Sequence, residues 1–259
     1  MRFTVIIPAR YASSRFPGKA LAELAGKPML QHVHALALES GATDVIIATD
    51  NERIREAAIG FGAKVYMTSE NHASGTERIA EIIETVGEPD HQIIVNVQGD
   101  EPLLPPKLTR QVAQNLSDRP NAHVATLCEQ ITDADTLFDP GVVKVVMGDG
   151  GYALYFSRLP IPYDRDHFAS QPNFLMPPET IYYRHIGIYA YRASFLRDYV
   201  TRPRSASEKA ESLEQLRVLH NGGKIHVSEA KESPGIGVDT PADLMRVRKI
   251  LEGKGKNHS

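Results

Sequence analysis

The stretch Phe3-Thr4-Val5-Ile6-Ile7-Pro8-Ala9-Arg10-Tyr11-Ala12-Ser13-Ser14-Arg15-Phe16-Pro17-Gly18-Lys19 decides the fold class. Residues 3–7 form the short apolar run that a fully buried strand presents. The residues that follow set three cations among small side chains, a composition suited to a loop. In an open α/β sheet, ligands bind in the crevice beyond the carboxyl ends of the strands. Arg10, Arg15 and Lys19, with backbone N–H groups left accessible by the small residues, can surround the oxygens of a triphosphate. Arginine does so through a planar fork and lysine as a point charge. The loop carries neither the Gly-x-x-x-x-Gly-Lys-Ser/Thr of a P-loop nor the Gly-x-Gly-x-x-Gly of a dinucleotide site. Taken alone, these residues fit a solvated basic surface loop equally well.

Working outward, further apolar runs at 45–48, 64–67, 93–97 and 124–127 alternate with amphipathic stretches, which predicts a parallel α/β sheet. Ile79, Ile82, Ile83 and Val86 recur at helical spacing behind Ser74-Gly75-Thr76-Glu77, so a helix is expected to begin near residue 75. Leu244, Val247 and Leu251 do the same behind Thr240-Pro241, an N-cap followed by the proline favoured at a first helical position. From about 139 to 192 the texture changes to β-rich pieces at 142–147, 152–156 and 186–191, with Gly-Asp-Gly-Gly at 148–151. We read that region as an insertion in a single domain spanning 1–259, and 166–179 as a loop.

Composition narrows the function. A chain of 259 residues, 42% hydrophobic and 24% charged, buries a substantial core. Its net charge of −3 supplies no basic field for DNA or RNA, whose binding needs many lysine and arginine contacts to phosphate. The single cysteine, Cys128, lies in an apolar run and reads as a small buried hydrophobe. No signal-like segment opens the chain and no stretch approaches the roughly 18 apolar residues of a membrane span, so a cytoplasmic protein without membrane contact is expected. His32 and His34, two positions apart on an expected helix, cannot face one zinc ion together.

A second run, Ile93-Ile94-Val95-Asn96-Val97, ends in Gln98-Gly99-Asp100-Glu101-Pro102. An aspartate at a strand end beside a phosphate loop suits Mg²⁺, which takes one or two carboxylates with phosphate oxygens and water. Helix capping is the competing role, the weaker reading for Asp100 and the stronger one for Glu101. Asp239, just before a helix, would by itself serve the helix dipole.

The blocks PARYASSRFPGK (8–19), MTSENHASGTERI (67–79), IVNVQGDEP (94–102), YALYFSR (152–158), PYDRD (162–166), YRHIGIYAYR (183–192), ESLEQLRVL (211–219) and GVDTPADL (237–244) resemble, in order, those of the CMP-Kdo synthetases. The first block is shared by a wider class of sugar nucleotidyltransferases; QGDEP, RHIGIY and LEQLR point more narrowly. Ala20, Tyr163 and the turn His220-Asn221-Gly222-Gly223 depart from the family pattern without removing a charged residue.

The resemblance implies a Rossmann-like nucleotidyltransferase fold and a homodimer built through the β-rich insertion. It also implies Mg²⁺ dependence and transfer of CMP from CTP to an acidic octulosonate sugar for lipopolysaccharide. Arg10, Lys19 and Asp100 would then be catalytic. Arg10, Arg15, Lys19, Ser74, Arg78 and Gln98 would bind the nucleotide, and Asp100 and Asp239 the metal. Arg158, His185, Tyr189, Glu211 and Gln215 would meet the sugar, Glu211 and Gln215 from one helix face at i, i+4. Rival readings are a cytidylyltransferase for an amino-substituted octulosonate or a sialic acid, a nicotinamide oxidoreductase, and a silent nucleotide-binding protein.

Overall fold

A computed structural model describes residues 1–12, 16–72, 74–170 and 175–255. The chain runs through β1 (Phe3–Ala9), β2 (Glu23–Leu24), β3 (Lys27–Pro28), α1 (Met29–Glu39), β4 (Asp44–Thr49), α2 (Glu52–Gly60), β5 (Lys64–Met67), α3 (Gly75–Val86), β6 (Ile93–Asn96), α4 (Pro106–Ser117) and β7 (Val124–Ile131). It continues through α5 (Ala134–Phe138), β8 (Lys144–Met147), β9 (Ala153–Ser157), α6 (Arg165–Ser170), β10 (Tyr182–Arg192), α7 (Ala193–Thr201), α8 (Ala206–Glu211), α9 (Gln215–His220), β11 (Ile225–Glu229) and α10 (Pro241–Gly255).

Every residue of β1 is buried, because the strand is central and covered on both faces. Alternation divides it: Val5 and Ile7 pack with Leu30, Val33, Leu108 and Val112, whereas Ile6 packs with Ile79, Ile82, Ile83 and Leu196. The main sheet has the order β11-β7-β10-β6-β1-β4-β5. β1 is parallel to β4 on one side and to β6 on the other. The strand order therefore reverses between β1 and β6, and the crevice at their carboxyl ends is where an open α/β sheet receives ligands.

The mostly parallel α/β sheet flanked by helices is the architecture the apolar runs predict, with one difference. β10 runs antiparallel to both neighbours, and its residues Tyr189–Arg192 pair with β6 in the middle of the sheet. The β-rich region at 139–192 thus ends inside the main sheet, while β8 and β9 form an antiparallel extension from the outer half of β10. Within the expected loop at 166–179, the first residues complete the short helix α6. His167 N–H donates to Asp164 Oδ1 (3.0 Å) there.

Two local devices shape the crevice. β2 and β3 turn through Ala25 and Gly26, both at positive φ, the conformation of a tight hairpin. Leu24 and Met29 around that hairpin pack with Val238 and Val247, which anchors the C-terminal helix beside the β1 loop. α3 starts as expected: Ser74 Oγ accepts from Glu77 N–H, and Gly87 closes the helix in the left-handed conformation.

Candidate active site

The carboxyl end of β1 releases Arg10 and, after a turn at Gly18, Lys19 into a cavity of about 310 Å³. Pro8, Ala9, Gln98 and Asp100 form its other walls. Arg10 Nη2 donates to His72 O (2.9 Å), so one edge of its guanidinium is held while the rest faces the cavity. Lys19 Nζ donates to Asp100 Oδ2 and, at 3.3 Å each, to Asp239 Oδ1 and Val238 O.

Asp239 reaches this place because the segment before α10 lies directly on the turn after β6. Val238 N–H donates to Asp100 O (2.8 Å). The approach is close enough that a Cβ on Gly235, which has φ +80°, would stand 2.9 Å from Leu103 O. A Cβ on Gly237 would stand 2.8 Å from Glu101 Oε1. Glycine is therefore required at Gly235, where φ is positive and the neighbour is backbone, whereas at Gly237 the neighbour is the end of the Glu101 side chain, which can shift. Thr240 and Asp243 then cap the helix reciprocally, with Thr240 N–H on Asp243 Oδ2 (2.9 Å) and Asp243 N–H on Thr240 Oγ1 (3.2 Å). Asp239 N–H joins that cap on Asp243 Oδ2 (3.2 Å), while its side chain, 52% exposed, is directed at Lys19. Burial, then the charges of Asp100 and Asp239, push the Glu101 carboxyl up to about 7, so the three carboxyls do not all carry a full charge at neutral pH.

A second, larger cavity of about 500 Å³ adjoins the first, sharing Gly75, Gln98 and Asp100 as walls. β10 supplies His185, Tyr189 and Tyr191, β9 leads into Arg158, and the α8–α9 corner supplies Glu214 and Gln215. The register of β10 on β7 shifts between Ile186 and Tyr189, and Thr126 fills the irregularity. Its hydroxyl donates to Ile188 O (2.7 Å), which leaves the oxygen to accept from His185 Nε2 (2.9 Å). Burial lowers His185 to about 3, so the ring meets the cavity neutral at physiological pH. Burial likewise raises Glu214, whose Oε2 accepts from Thr76 Oγ1 (2.8 Å).

Two adjoining polar cavities, one rich in cations and one in hydroxyl and amide groups, suit a reaction between a phosphorylated donor and a polar acceptor meeting near Asp100. Comparison with known proteins agrees. A family described as cytidylyltransferase matches residues 4–225. The chain belongs to the cytidylyltransferase family.

Within it, the chain is 58% identical to the 3-deoxy-manno-octulosonate cytidylyltransferase of Haemophilus influenzae (strain PittEE) over 97% of this chain and 99% of that protein. It is 54% identical to the Nitrosococcus oceani protein of the same name over the full length of both. A solved structure of CMP:2-keto-3-deoxy-manno-octonic acid synthetase complexed with CTP superposes with a TM-score of 0.88 and 43% identity, covering 98% of this chain and all of that one. A Methanothermobacter nucleotidyl transferase shares the fold, with a TM-score of 0.61 at 16% identity and 98% and 99% of the two chains covered.

In this cytidylyltransferase the residues singled out from sequence fall into distinct places. Arg10, Lys19, Gln98 and Asp100 line the first cavity, and Asp239 joins it through Lys19. Arg158, His185, Tyr189 and Gln215 line the second. Arg15 lies outside the described residues. Ser74 is occupied as the cap of α3. Arg78 is fully buried, donating to Thr68 Oγ1 and to Asp50 Oδ2 (2.5 Å), so it ties α3 to the residues just after β5 and β4 and does not line either cavity.

Glu211 corrects the expectation of a shared helix face. α8 ends there, Ser212 takes the left-handed conformation at φ 53°, and Gln215 opens a different helix. The Glu211 carboxylate accepts from Ser157 Oγ (2.7 Å) and Arg158 N–H (2.9 Å), and its carbonyl accepts from Arg158 Nε (2.7 Å). Glu211 therefore aims Arg158, and Glu214, not Glu211, is the glutamate that lines the cavity. Glu214 stands inside the ESLEQLRVL block with nothing in its local sequence to set it apart. Tyr191, stacked on Tyr189, and the buried Tyr199 also line this cavity, although aromatic residues in a strand and a helix read as core.

Proposed function

We propose that the protein transfers CMP from CTP to 3-deoxy-manno-octulosonate, releasing pyrophosphate, with the triphosphate in the cavity of Arg10 and Lys19 and the sugar in that of His185 and Tyr189. The observation that carries this reading is the shared wall of Gly75, Gln98 and Asp100, which sets the two ligands end to end. The anomeric hydroxyl gives up its proton to solvent as its oxygen attacks the α-phosphorus, the bond to the bridging oxygen of the β-phosphate breaks, and pyrophosphate leaves on the opposite side.

Much of the catalysis is positioning and charge compensation by the chain. Arg10 and Lys19 bind the triphosphate and stabilise charge building on the leaving group. Arg158 supplies a cation for the sugar carboxylate, while neutral His185, Tyr189, Gln215 and Glu214 offer donors and acceptors for its hydroxyls. Asp100 and Asp239 converge on one cationic centre, the Lys19 ammonium, and present the hard oxygen donors that Mg²⁺ takes. We infer that these two carboxylates hold Mg²⁺, which when bound supplies Lewis acidity beside the reacting phosphate.

The proposal extends to a homodimer that works in the cytoplasm and supplies an activated sugar for lipopolysaccharide. Support for the dimer is the set of large apolar side chains left exposed on β9 and on the segments between β9 and β10: Leu154, Leu159, Tyr163 and Ile181. Pyrophosphate release with four nucleoside triphosphates against a panel of ulosonic acids tests the substrate assignment. CTP with 3-deoxy-manno-octulosonate is expected to be the fastest pair. Preference for an amino-substituted octulosonate or a sialic acid would move the protein to a sister activity, and preference for ATP, GTP or a neutral sugar would defeat the assignment.

A further inference from the structure

We infer that Glu81, on the outer face of α3 and away from both cavities, is a positioning residue for the nucleotide, acting on Arg10 through the backbone of His72. The inference rests on the reading of Arg10 as a triphosphate ligand.

Thr68, just after β5, is tied to Thr49 O, but residues 69–72 beyond it belong to no helix or strand. Glu81 supplies what is missing. A single oxygen, Oε2, accepts from Ser69 N–H (3.0 Å) at the start of the segment and from His72 Nε2 (2.5 Å) near its end. The carboxylate thus closes the loop onto the second turn of the helix that follows. Burial works against its charge, but the bonds from Ser69 N–H and His72 hold it below the usual carboxylate range. Arg78, one turn earlier, adds a favourable charge. Glu77 Oε2 stands 3.9 Å from His72 Nδ1, so the imidazole is flanked on both nitrogens.

The consequence reaches the site through the next bond. His72 O, on the residue whose ring Glu81 holds, accepts from Arg10 Nη2 (2.9 Å). Arg10 stands on the loop after β1, where the strand ladder no longer fixes direction. A guanidinium tied at one edge presents its other donors to the cavity with less rotamer freedom to lose on binding. Without Glu81 the Ser69 N–H and the His72 ring lose their common acceptor, the carbonyl is no longer fixed, and Arg10 must be ordered by the nucleotide itself.

The test is a kinetic double-mutant cycle with Glu81→Ala, Glu81→Gln, Arg10→Ala and the Arg10→Ala/Glu81→Ala pair, reading kcat, KM for CTP, KM for the sugar, and Tm. Glu81→Ala is expected to raise KM for CTP about five- to twenty-fold, with KM for the sugar and Tm nearly unchanged. Glu81→Gln keeps an acceptor oxygen and is expected to restore most of the loss. In the Arg10→Ala background, removing Glu81 is expected to add less than about twofold, because the two act as one unit. If Arg10→Ala raises KM for CTP while Glu81→Ala does not, or if the two effects multiply in full, the positioning role is overturned. A loss spread equally over both substrates with a fall in Tm makes Glu81 a structural residue and overturns it too. An unchanged KM for CTP in Arg10→Ala itself overturns the nucleotide reading beneath it.

Discussion

Lys19 touches both carboxylates of the site from a loop whose sequence suggested only a phosphate contact. Its side chain is 16% exposed, and its ammonium sits at the meeting point of Asp100 and Asp239, in the wall of the cavity that Arg10 lines. Lys19→Ala is expected to lower turnover by about tenfold to a thousandfold, or about 1–4 kcal/mol, through poorer stabilisation of the leaving pyrophosphate. Steady-state kinetics at saturating substrates checks this, and a near-normal kcat would return the loop to a solvated surface role. His185 makes a prediction about pH. It titrates at about 3 when folded and near the ordinary 6.5 when unfolded, so between those values the unfolded chain binds the extra proton. Its contribution to stability is fully present above about pH 6.5 and is lost progressively as the pH falls toward 3. The urea midpoint of the native protein should therefore drop more between pH 7.5 and pH 5 than that of His185→Gln. Equal drops would show that the ring is not held neutral by its burial.

At the scale of elements, apolar runs gave away the strands, because a strand buried on both faces has few other compositions open to it. The helix starts at Gly75 and Pro241 were equally legible, since capping depends on residues within a few positions. What remained hidden depends on partners far along the chain. Strand direction is absent from an apolar run, so the antiparallel course of β10 could not be read from 186–191. The separation of Glu211 from Gln215 has a remote cause as well: Glu208 and Arg217 form a buried bidentate pair, Arg217 Nη2 to Glu208 Oε1 (2.6 Å) and Nε to Oε2 (2.8 Å). That pair staples α8 to α9 across the left-handed Ser212 and presents Glu214 to the cavity. Glu208→Ala leaves Arg217 buried without its partner and is expected to cost roughly 3–5 kcal/mol in urea unfolding. A loss under about 1 kcal/mol would mean that the corner is held by packing alone. Gly235→Ala tests the docking of Asp239 in the same spirit. Its Cβ would meet Leu103 O, displacing the segment, and kcat is expected to fall about a hundredfold while most of the protein remains folded at assay temperature. Unchanged kcat would show that the segment has room to move.

At the scale of the whole molecule, the switch point between β1 and β6 accounts for why one crevice collects residues from distant parts of the chain. β1 and β6 each end there, α3 begins there, and the hairpin of β2 and β3 brings the segment before α10 alongside. The fold class was therefore legible from the alternation of runs, whereas the meeting of Asp100 with Asp239 was available only through resemblance to a family. The exposed apolar residues carry the remaining prediction at this scale: Leu159 and Tyr163 are 69% and 66% exposed, and a dimer would cover them. Leu159→Asp combined with Tyr163→Asp should shift the sedimentation of the protein from dimer to monomer without loss of helical circular dichroism. A protein that sediments as a monomer before any substitution would remove the dimer from the account.

The central claim is that Asp100 and Asp239, which stand 139 positions apart in the sequence, work as one unit at the junction of the two cavities. Turnover measured for Asp100→Asn, Asp239→Asn and the double variant, across a Mg²⁺ titration, tests it most directly. Asparagine keeps the shape and removes a charge that a hard cation prefers. Each single variant is expected to lose roughly a thousandfold, about 4 kcal/mol, with little change in Tm, and the double variant should be scarcely slower than either. Normal activity and ordinary Mg²⁺ dependence in Asp239→Asn, or losses that multiply in full in the double variant, would contradict it.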